Sequence, residues 1–273
     1  MSRITDSTVL ITGGASGLGK SLARLFLRWG ASRLIIWDSN RTDLDSALTR
    51  FQGRGHQAAG QVLDISDPDQ VRHCASKLSK SGITVDILVN NAGTAAKGWF
   101  ASHDHDTITT ILQTNAAGPM HCTLAWLPGM IEKGQGHIVN ISSAAALLPI
   151  PGLAVYSASK CALSGWSMAL ARELDLARTG VRVTLVNPGY MDTAMFQKVR
   201  KPVWMPCMNP DQVASRIVKA VRKNRTTLTM PVLVRLGALA GSLIPSRIFE
   251  FITGRVMGLD RFIPGPGGKN DPS

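Results

Sequence analysis

Short apolar runs alternate along the chain with longer segments whose apolar residues recur at helical spacing. The short runs predict strands at Thr8–Thr12, Arg33–Trp37, Gln57–Leu63, Val85–Val89, His137–Ile141 and Val181–Val186. The periodic segments predict helices at Leu18–Trp29, Leu44–Phe51, Asp67–Lys80, Asp104–Lys133, Val155–Arg178 and Asp211–Lys223. A break in the fourth of these helices is predicted near Gly118-Pro119. The alternation predicts an α/β fold: a doubly wound parallel sheet with helices on both faces.

The pattern offers no point at which the chain divides into two domains. Its 273 residues are enough to bury a core without a metal or disulfides. The four cysteines lack the spacing of a metal site, so we interpret them as free thiols in a reducing, cytoplasmic compartment. We find neither the apolar core of a signal peptide nor an apolar run of membrane-spanning length. Residues 265–273, rich in Gly, Pro and Asn, predict a disordered tail.

Positive charge is concentrated near the C-terminus. The chain has 30 Lys and Arg against 18 Asp and Glu, a formal net charge of +12. Residues 1–194 carry a net charge of +3, whereas residues 195–273 carry +9. Such a field favours an anionic partner, which could be a nucleic acid, an acidic protein or a membrane surface. The alternative is a solvated basic face without a partner.

A glycine-rich turn, Thr12–Gly19, lies between the first predicted strand and the first predicted helix. Glycines let the backbone approach a ligand or adopt a positive φ. A helix N-terminus attracts phosphate through its free N–H groups and its dipole. The turn with its flanking strand and helix therefore predicts a dinucleotide-binding site, the alternative being a tight turn without a ligand.

Polar residues follow the next strands where ligands bind in open α/β sheets. Asp38 ends the second strand and can accept hydrogen bonds from an adenosine ribose, which favours NAD over NADP, although Arg41 could weaken that preference. Asp64 closes the third strand and could meet an adenine amino group or simply cap a turn. Asn90–Gly93, at the end of the fourth strand, would let a flat ligand lie across the sheet edge, or form an Asn-Gly turn.

Tyr156 and Lys160 are four residues apart and therefore share one helix face. A nearby ammonium favours the phenolate, so we predict a lowered pKa for Tyr156 and proton exchange with an alcohol or carbonyl oxygen. Ser143, at the end of the preceding strand, can hydrogen-bond the same oxygen. Ser142 is the competing hydroxyl. A Tyr-x-x-x-Lys pair alone is common on helix surfaces.

As an ordered set, these motifs resemble the short-chain dehydrogenase/reductase family over about residues 5–225. The resemblance rests on the glycine turn, Asp64, Asn-Asn-Ala-Gly at 90–93, Ser143, Tyr156-x-x-x-Lys160 and Asn187-Pro188-Gly189. It implies a Rossmann fold of about seven strands and catalytic roles for Asn115, Ser143, Tyr156 and Lys160. It implies cofactor contacts from Gly13, Ser16, Gly17, Leu18, Gly19, Asp38, Asp64, Ile65, Asn91, Ala92, Gly93, Tyr156, Lys160, Pro188, Gly189, Met191 and Thr193. No metal is implied.

By the same resemblance, Tyr156 is the general acid/base, Ser143 stabilises the substrate oxygen and Lys160 lowers the tyrosine pKa. Asn115 corresponds to the family asparagine that holds a proton-relay water. The 13-residue gap between Ser143 and Tyr156 favours Ser143 over Ser142. The implied reaction is hydride transfer between a nicotinamide and a carbinol or carbonyl carbon.

The substrate side of the chain is apolar. The segment at about 190–209, a substrate lid by resemblance, is rich in Met, and residues 144–151 beside Ser143 are apolar. We therefore expect a lipophilic alcohol, aldehyde or ketone of steroid, retinoid or long-chain type. The alternative is that these residues pack against one another or against an oligomer partner.

Residues 231–264 extend the 1–230 catalytic domain beyond its seventh strand, at about Thr227–Met230. One helical face carries Val232, Leu236, Leu239 and Leu243, and arginines follow in the sequence. An apolar face accompanied by arginines suits an anionic membrane interface. The extension is similar to that of the retinol, hydroxysteroid and fatty-alcohol branch of the family. The alternatives are a helical cover for the substrate pocket and a dimer interface. By resemblance the protein is a homodimer or homotetramer.

Three other functions compete with this hypothesis. A 3-oxoacyl-carrier-protein reductase would use a basic surface to dock an acidic carrier, but Asp38 argues against the NADPH that such reductases usually take. A dinucleotide-dependent binding or regulatory protein could share the fold. Nucleic-acid binding is disfavoured because the chain has two tyrosines and no basic stretch interleaved with aromatic residues.

Overall fold

Seven parallel strands form one sheet in the order β3-β2-β1-β4-β5-β6-β7. The computed structural model describes residues 2–191, 207–245, 247–248 and 251–256. The strands are β1 Thr8–Thr12, β2 Arg33–Asp38, β3 Ala58–Val62, β4 Ile87–Asn90, β5 Gly136–Ile141, β6 Val181–Pro188 and β7 Thr227–Met230. The strand order reverses between β1 and β4, which is where open α/β sheets form their ligand crevice.

Eight α-helices are present in the described part of the chain. They are α1 Gly17–Arg28, α2 Arg41–Gln52, α3 Pro68–Lys80, α4 His105–Leu112, α5 Gly118–Glu132, α6 Ala154–Leu176, α7 Pro210–Arg222 and α8 Val232–Leu243. Short helical turns occur at Phe100–Ser102, Ala144–Ala146 and Phe251–Val256. The predicted Rossmann fold with a C-terminal helix after the seventh strand is confirmed.

The two faces of the sheet have separate apolar cores. Alternate side chains of β1, such as Val9 and Leu10, point to opposite faces. Helices α1, α2 and α7 pack on one face, where Phe26, Phe51 and Ile217 are buried. Helices α3, α5 and α6 cover the other face. Because both faces are covered, the central strands β1, β2 and β4 are apolar along most of their length, which explains why the sequence shows continuous runs there rather than alternation.

The predicted long helix over 104–133 is interrupted by a π-helical turn, Gln113–Ala117, that joins α4 to α5. The interruption ends directly before Gly118 and so lies close to the predicted break. Pro119 falls in the first turn of α5, where its missing N–H costs little. Helix α2 begins earlier than predicted because the Asn40 side chain accepts a hydrogen bond from the Asp43 N–H and caps it.

Several predictions fall wholly or partly outside the described residues. Most of the lid at about 190–209, including Thr193, and the tail at 265–273 lie there. Within the described ranges, no helix is long and apolar enough to cross a membrane. All four cysteines are free thiols; Cys74 and Cys122 are buried, and Cys161 and Cys207 are exposed.

We expect a buried histidine to make the fold acid-sensitive. His137 on β5 contacts Ser2 Oγ and Thr184 Oγ1, both at 2.8 Å, and burial lowers its pKa to about 3. The unfolded chain takes up this proton near its ordinary pKa of 6.5. The contribution of neutral His137 to the free energy of unfolding is therefore complete above pH 6.5. It decreases as the pH drops toward 3, and the loss is roughly 2 kcal/mol at pH 5.

Urea unfolding at several pH values tests this expectation. His137→Gln should flatten the pH dependence between pH 6.5 and 4, whatever its effect at neutral pH. The control is His73→Gln, because His73 is exposed on α3. An unchanged slope in His137→Gln would show that other groups cause the acid sensitivity.

Candidate active site

A cavity of about 490 Å³ lies at the carboxyl edge of the sheet. It is lined by most of the predicted site residues: Gly13, Ser16, Gly17, Leu18, Asp38, Asp64, Ile65, Asn91, Ala92, Gly93, Ser143, Tyr156, Lys160, Pro188, Gly189 and Met191. Gly19 and Asn115 are not among the lining residues, but Gly19 lies against Gly13 and Asn115 lies next to Gly93. The edge brings these residues together because all parallel strands end on the same side.

The glycine-rich turn requires its glycines for two different reasons. Gly13 and Gly17 adopt φ values of +60° and +49°, which disfavour any side chain. Gly19 needs space: a Cβ there would lie 2.0 Å from the Gly13 carbonyl oxygen. The turn therefore holds the start of α1 close to β1, and a helix start carries N–H groups that have no intrahelical partner.

Hydrogen bonds tie this turn to the end of β4. Asn91 Nδ2 donates to the carbonyl oxygens of Thr12 and Gly13 at 3.0 and 2.9 Å. Thr12 Oγ1 accepts the N–H groups of Asn91 and Ala92 at 3.0 and 3.1 Å. Thr12 was not singled out from the sequence, although its position at the end of a buried strand is a usable signal.

Two carboxylates lie along the cavity wall. Asp38 accepts the N–H groups of Ala15 and Asn40, at 3.1 and 3.0 Å, so both of its oxygens are oriented by backbone. Asp64 accepts the Ser66 N–H at 2.9 Å and thus also has the turn role considered from the sequence. Trp37, fully buried beside Asp38, adds an aromatic side chain to the lining that sequence reasoning did not assign.

Ser143, rather than Ser142, reaches the tyrosine. The hydroxyl of Tyr156 is hydrogen-bonded to Ser143. Ser142 Oγ is engaged elsewhere, donating to the Lys160 carbonyl oxygen at 3.0 Å and contacting Ser164 Oγ at 2.8 Å. Ser143 Oγ also accepts the Ala145 N–H at 3.1 Å, which fixes its orientation.

Lys160 is a buried cation beside the tyrosine ring. Only 4 % of its surface is exposed, and Nζ donates to the Ile141 carbonyl oxygen at 3.0 Å. Nζ lies 5.7 Å from the centroid of the Tyr156 ring. Burial disfavours the charged ammonium and lowers the pKa of Lys160 to about 8.

The prediction of a lowered tyrosine pKa is wrong for this structure. Burial raises the pKa of Tyr156 to about 12, and the hydrogen bond with Ser143 opposes that shift only in part. The sequence showed the attractive lysine but not the dry surroundings, which disfavour the phenolate. Tyr156 therefore keeps its proton at neutral pH.

Asn115 lies in the π-helical turn and is fully buried. Its Oδ1 accepts the Thr94 N–H and its Nδ2 donates to the Thr94 carbonyl oxygen, both at 2.8 Å. Nδ2 also donates to Ser159 Oγ at 3.0 Å, and Ser159 Oγ donates to the Tyr156 carbonyl oxygen at 2.7 Å. Both amide hydrogens are thus used, and the side chain joins the β4 loop to the helix turn that carries Tyr156 and Lys160. Sequence reasoning missed Ser159 in this connection.

An apolar wall adjoins Ser143. Ala144 and Leu148 pack with Val234 of α8, which is fully buried. Gly237 of α8 also faces Leu148, since a Cβ there would lie 3.3 Å from Leu148 Cδ1. The C-terminal extension therefore covers the segment that follows Ser143.

The residues present fit a dinucleotide. The glycine turn approaches Asn91 and Ala92 closely, so this cavity edge is formed by glycines and by the start of α1 rather than by long side chains. Anionic phosphates suit that edge. Asp38 and Asp64 line one part of the cavity, and Tyr156 and Lys160 line another.

Comparisons with known proteins agree with this geometry. The family model described as short chain dehydrogenase matches residues 7–204. Human short-chain dehydrogenase/reductase 3 is 32% identical over 91% of this chain and 83% of its own. Rat 17-beta-hydroxysteroid dehydrogenase 13 is 28% identical over the same shares. Ketoacyl reductase HetN of Nostoc sp. is 34% identical over 83% of this chain and 79% of its own.

Solved structures have the same fold. A short chain dehydrogenase/reductase from Burkholderia phymatum in complex with NAD superposes with a TM-score of 0.80 at 23% identity, covering 89% of this chain and 96% of its own. A gluconate 5-dehydrogenase from Burkholderia cenocepacia in complex with NADP and tartrate gives 0.75 at 26% identity, covering 84% and 96%.

Proposed function

The chain belongs to the short-chain dehydrogenase/reductase family, and we propose that it transfers a hydride between NAD and a lipophilic alcohol, aldehyde or ketone. The observation that carries this proposal is the Ser143–Tyr156 hydrogen bond beside the buried Lys160. These polar groups line the same cavity as the glycine turn, and the adjoining wall is apolar. This arrangement suits a carbonyl or hydroxyl group on an otherwise apolar substrate.

The dinucleotide, when bound, supplies or accepts the hydride. The glycine turn would hold its pyrophosphate through backbone N–H groups, and Asp38 would accept its ribose hydroxyls. Asp64 and Ile65 are assigned to the adenine, and Lys160 to the nicotinamide ribose. The segment Pro188–Met191, with Thr193 beyond the described residues, is assigned to the nicotinamide.

The chain's own residues manage the proton. In reduction, Tyr156 donates its phenolic proton to the developing alkoxide while Ser143 donates a hydrogen bond to the same oxygen. The raised pKa of Tyr156 suits this direction, because the phenol stays protonated until charge develops. In oxidation, the phenolate form of Tyr156, which the Lys160 ammonium stabilises, accepts the alcohol proton and becomes the phenol. Asn115 and Ser159 act as positioning residues for this helix turn.

Loss of the Tyr156 hydroxyl should lower the rate of the reaction without weakening the binding of the cofactor. With retinoids, steroids and long-chain alcohols or their carbonyl forms, we expect the wild type to change the nicotinamide absorbance. Tyr156→Phe should lower kcat by more than about a hundredfold, because it removes the proton donor. NADH affinity, measured by fluorescence titration, should change little.

Ser157→Ala is the matched control, because Ser157 is the neighbouring buried hydroxyl and forms no hydrogen bond. It should retain activity. Turnover by Tyr156→Phe at the wild-type rate would refute the role of Tyr156. The absence of turnover with every compound in the wild type, despite NADH binding, would favour a dinucleotide-dependent regulatory protein.

The preference for NAD rests on Asp38, because a carboxylate there repels the 2′-phosphate of NADP. Asp38→Ser removes the charge. It should weaken NAD binding roughly tenfold, by loss of charge-assisted hydrogen bonds, and strengthen NADP binding. The exposed Asp45 on α2 provides the control Asp45→Ser, which should change neither dissociation constant. If NADP already binds the wild type more tightly, the preference is refuted.

A 3-oxoacyl-carrier-protein reductase is the second candidate, supported by the similarity to a ketoacyl reductase. This alternative predicts a preference for NADPH and activity on 3-oxoacyl thioesters. The cofactor titration above therefore also distinguishes the two candidates.

Two exposed apolar surfaces support partner proposals. Helix α8 exposes Val232, Leu236, Leu239 and Leu243, and arginines 235, 247 and 255 are also exposed; we assign this surface to peripheral membrane contact. Helices α5 and α6 expose Leu124, Ile131, Met168 and Leu176, and we assign these to a homodimer or homotetramer interface. The four unpaired cysteines support a cytoplasmic, reducing location.

One crossed experiment tests both surfaces. Leu236→Gln/Leu239→Gln should reduce cosedimentation with anionic vesicles and leave the oligomeric mass unchanged. Leu124→Gln/Met168→Gln should lower the oligomeric mass in light scattering and leave vesicle binding unchanged. Burial of one Leu or Met side chain contributes about 1.5–3 kcal/mol to binding, so both effects should be large. A variant that changes neither quantity removes the corresponding proposal.

A further inference from the structure

Basic side chains gather on the face of the sheet covered by α1, α2 and α7. Lys20, Arg24 and Arg28 follow one another at every fourth position of α1, so they lie on one side of that helix. Because α7 packs against α1, the fold brings the basic residues of two distant chain segments together. We call this surface, with Arg50 and Arg54 at the end of α2, the basic face.

The basic face contains two adjoining hollows. One, of about 230 Å³, is lined by Lys20, Ser21, Arg24, Arg50, Phe51, Arg54 and Asp211. The other, of about 540 Å³, is lined by Arg24, Leu25, Arg28, Asp211, Gln212, Ser215, Arg216 and Lys219. They share Arg24 and Asp211 and have no lining residue in common with the 490 Å³ cavity.

The positive charge in the hollows has little internal compensation. Asp211 is the acidic residue among their lining residues, and its Oδ1 is engaged by Arg24 Nη2 and by Ser21 Oγ, both at 2.6 Å. Like charges four residues apart on a helix repel each other, as Lys20, Arg24 and Arg28 do. Solvated surfaces usually mix both signs, so an uncompensated cluster of this kind favours an anionic ligand.

The shape and the chemistry of the hollows limit which class of ligand could bind there. Both hollows are open to solvent, and the volume of the second lies in the range of small-molecule sites. Most of the cations are arginines, whose planar forks match phosphate oxygens in pairs. Among the described residues of α1, α2 and α7, no large apolar side chain is exposed that could insert into a bilayer or stack on bases. The ring of Trp29 is covered by the Arg222 guanidinium, 4.8 Å from its centroid.

We propose that the basic face binds a compact ligand carrying several phosphate groups, at a site separate from the dinucleotide cavity. The first hollow of this site is surrounded by Lys20, Arg24, Arg50 and Arg54. The site continues into the second hollow, which is lined by Arg28, Arg216 and Lys219. The site does not depend on the proposed dehydrogenase activity, since it uses none of that site's residues.

Binding of inorganic triphosphate, measured by calorimetry at physiological salt with and without saturating NADH, tests the proposal. The wild type should bind triphosphate in both conditions. Arg50→Gln/Arg54→Gln should weaken binding at least roughly tenfold, because it removes two guanidinium groups that would donate charge-assisted hydrogen bonds to the phosphates. The control Arg72→Gln/Lys77→Gln removes the same charge from exposed positions on α3, across the sheet, and should change the affinity less than about twofold.

Three results would overturn the proposal. Equal weakening by both double variants would mean that only net charge matters. Displacement of triphosphate by NADH would place the probe in the dinucleotide cavity. Binding of anionic vesicles or duplex DNA, but not of triphosphate, by the basic face would assign it to a macromolecule. Thermal unfolding checks the fold: Arg50→Gln/Arg54→Gln should be at least as stable as the wild type, because it relieves repulsion.

Discussion

The parallel register of the seven strands is the constraint on which the site depends. β1 and β4 pair so that Ile11 lies opposite Val89, which brings the glycine turn beside Asn91. β4 and β5 pair Asn90 with Asn140, and β5 and β6 pair Ile141 with Val186. The dinucleotide turn, the Ser143 segment and the Pro188 segment therefore leave the sheet on one edge. A one-residue slip in any of these pairings would turn the side chains of a strand to the opposite face of the sheet and shift the segment that follows it.

Burial away from water determines the pKa values of the ionisable groups at this edge. Lys160 and Tyr156 are both buried, and burial moves their pKa values in opposite directions, to about 8 and about 12. Each shift favours the neutral side chain, so Tyr156 stays a phenol at neutral pH, while Lys160 lies closer to the balance between its ammonium and amine forms. The carbonyl oxygen of Ile141 and the hydroxyl of Ser143 are the fixed dipoles that act on this balance. Asn115, which lies in the π-helical turn, and Ser159 hold the helix turn that carries both groups.

Much of the fold could be predicted because a sheet covered on both faces leaves continuous apolar runs separated by helical periods. Most of the site motifs were visible for the same reason, since they follow strands, whereas Tyr156 and Lys160 were visible from their spacing on α6. Contacts that depend on three-dimensional approach were not visible: Thr12 orienting Asn91, Ser159 joining Asn115 to Tyr156, and Gly19 pressed against Gly13. The direction of the Tyr156 pKa shift was also missed, because a sequence shows the neighbouring charge but not the extent of burial. The +9 excess was attributed to the C-terminal segment alone, whereas packing of α7 on α1 joins it to basic residues near the N-terminus.

The central claim is that Tyr156 and Ser143 protonate the oxygen of a substrate whose carbon receives a hydride from the nicotinamide. Transfer of deuterium from NADH labelled at the transferring position, followed by mass spectrometry of the product, tests it most directly. The account predicts one deuterium on the carbinol carbon with the wild type and none above background with Tyr156→Phe. Equal deuterium incorporation by wild type and Tyr156→Phe would contradict it.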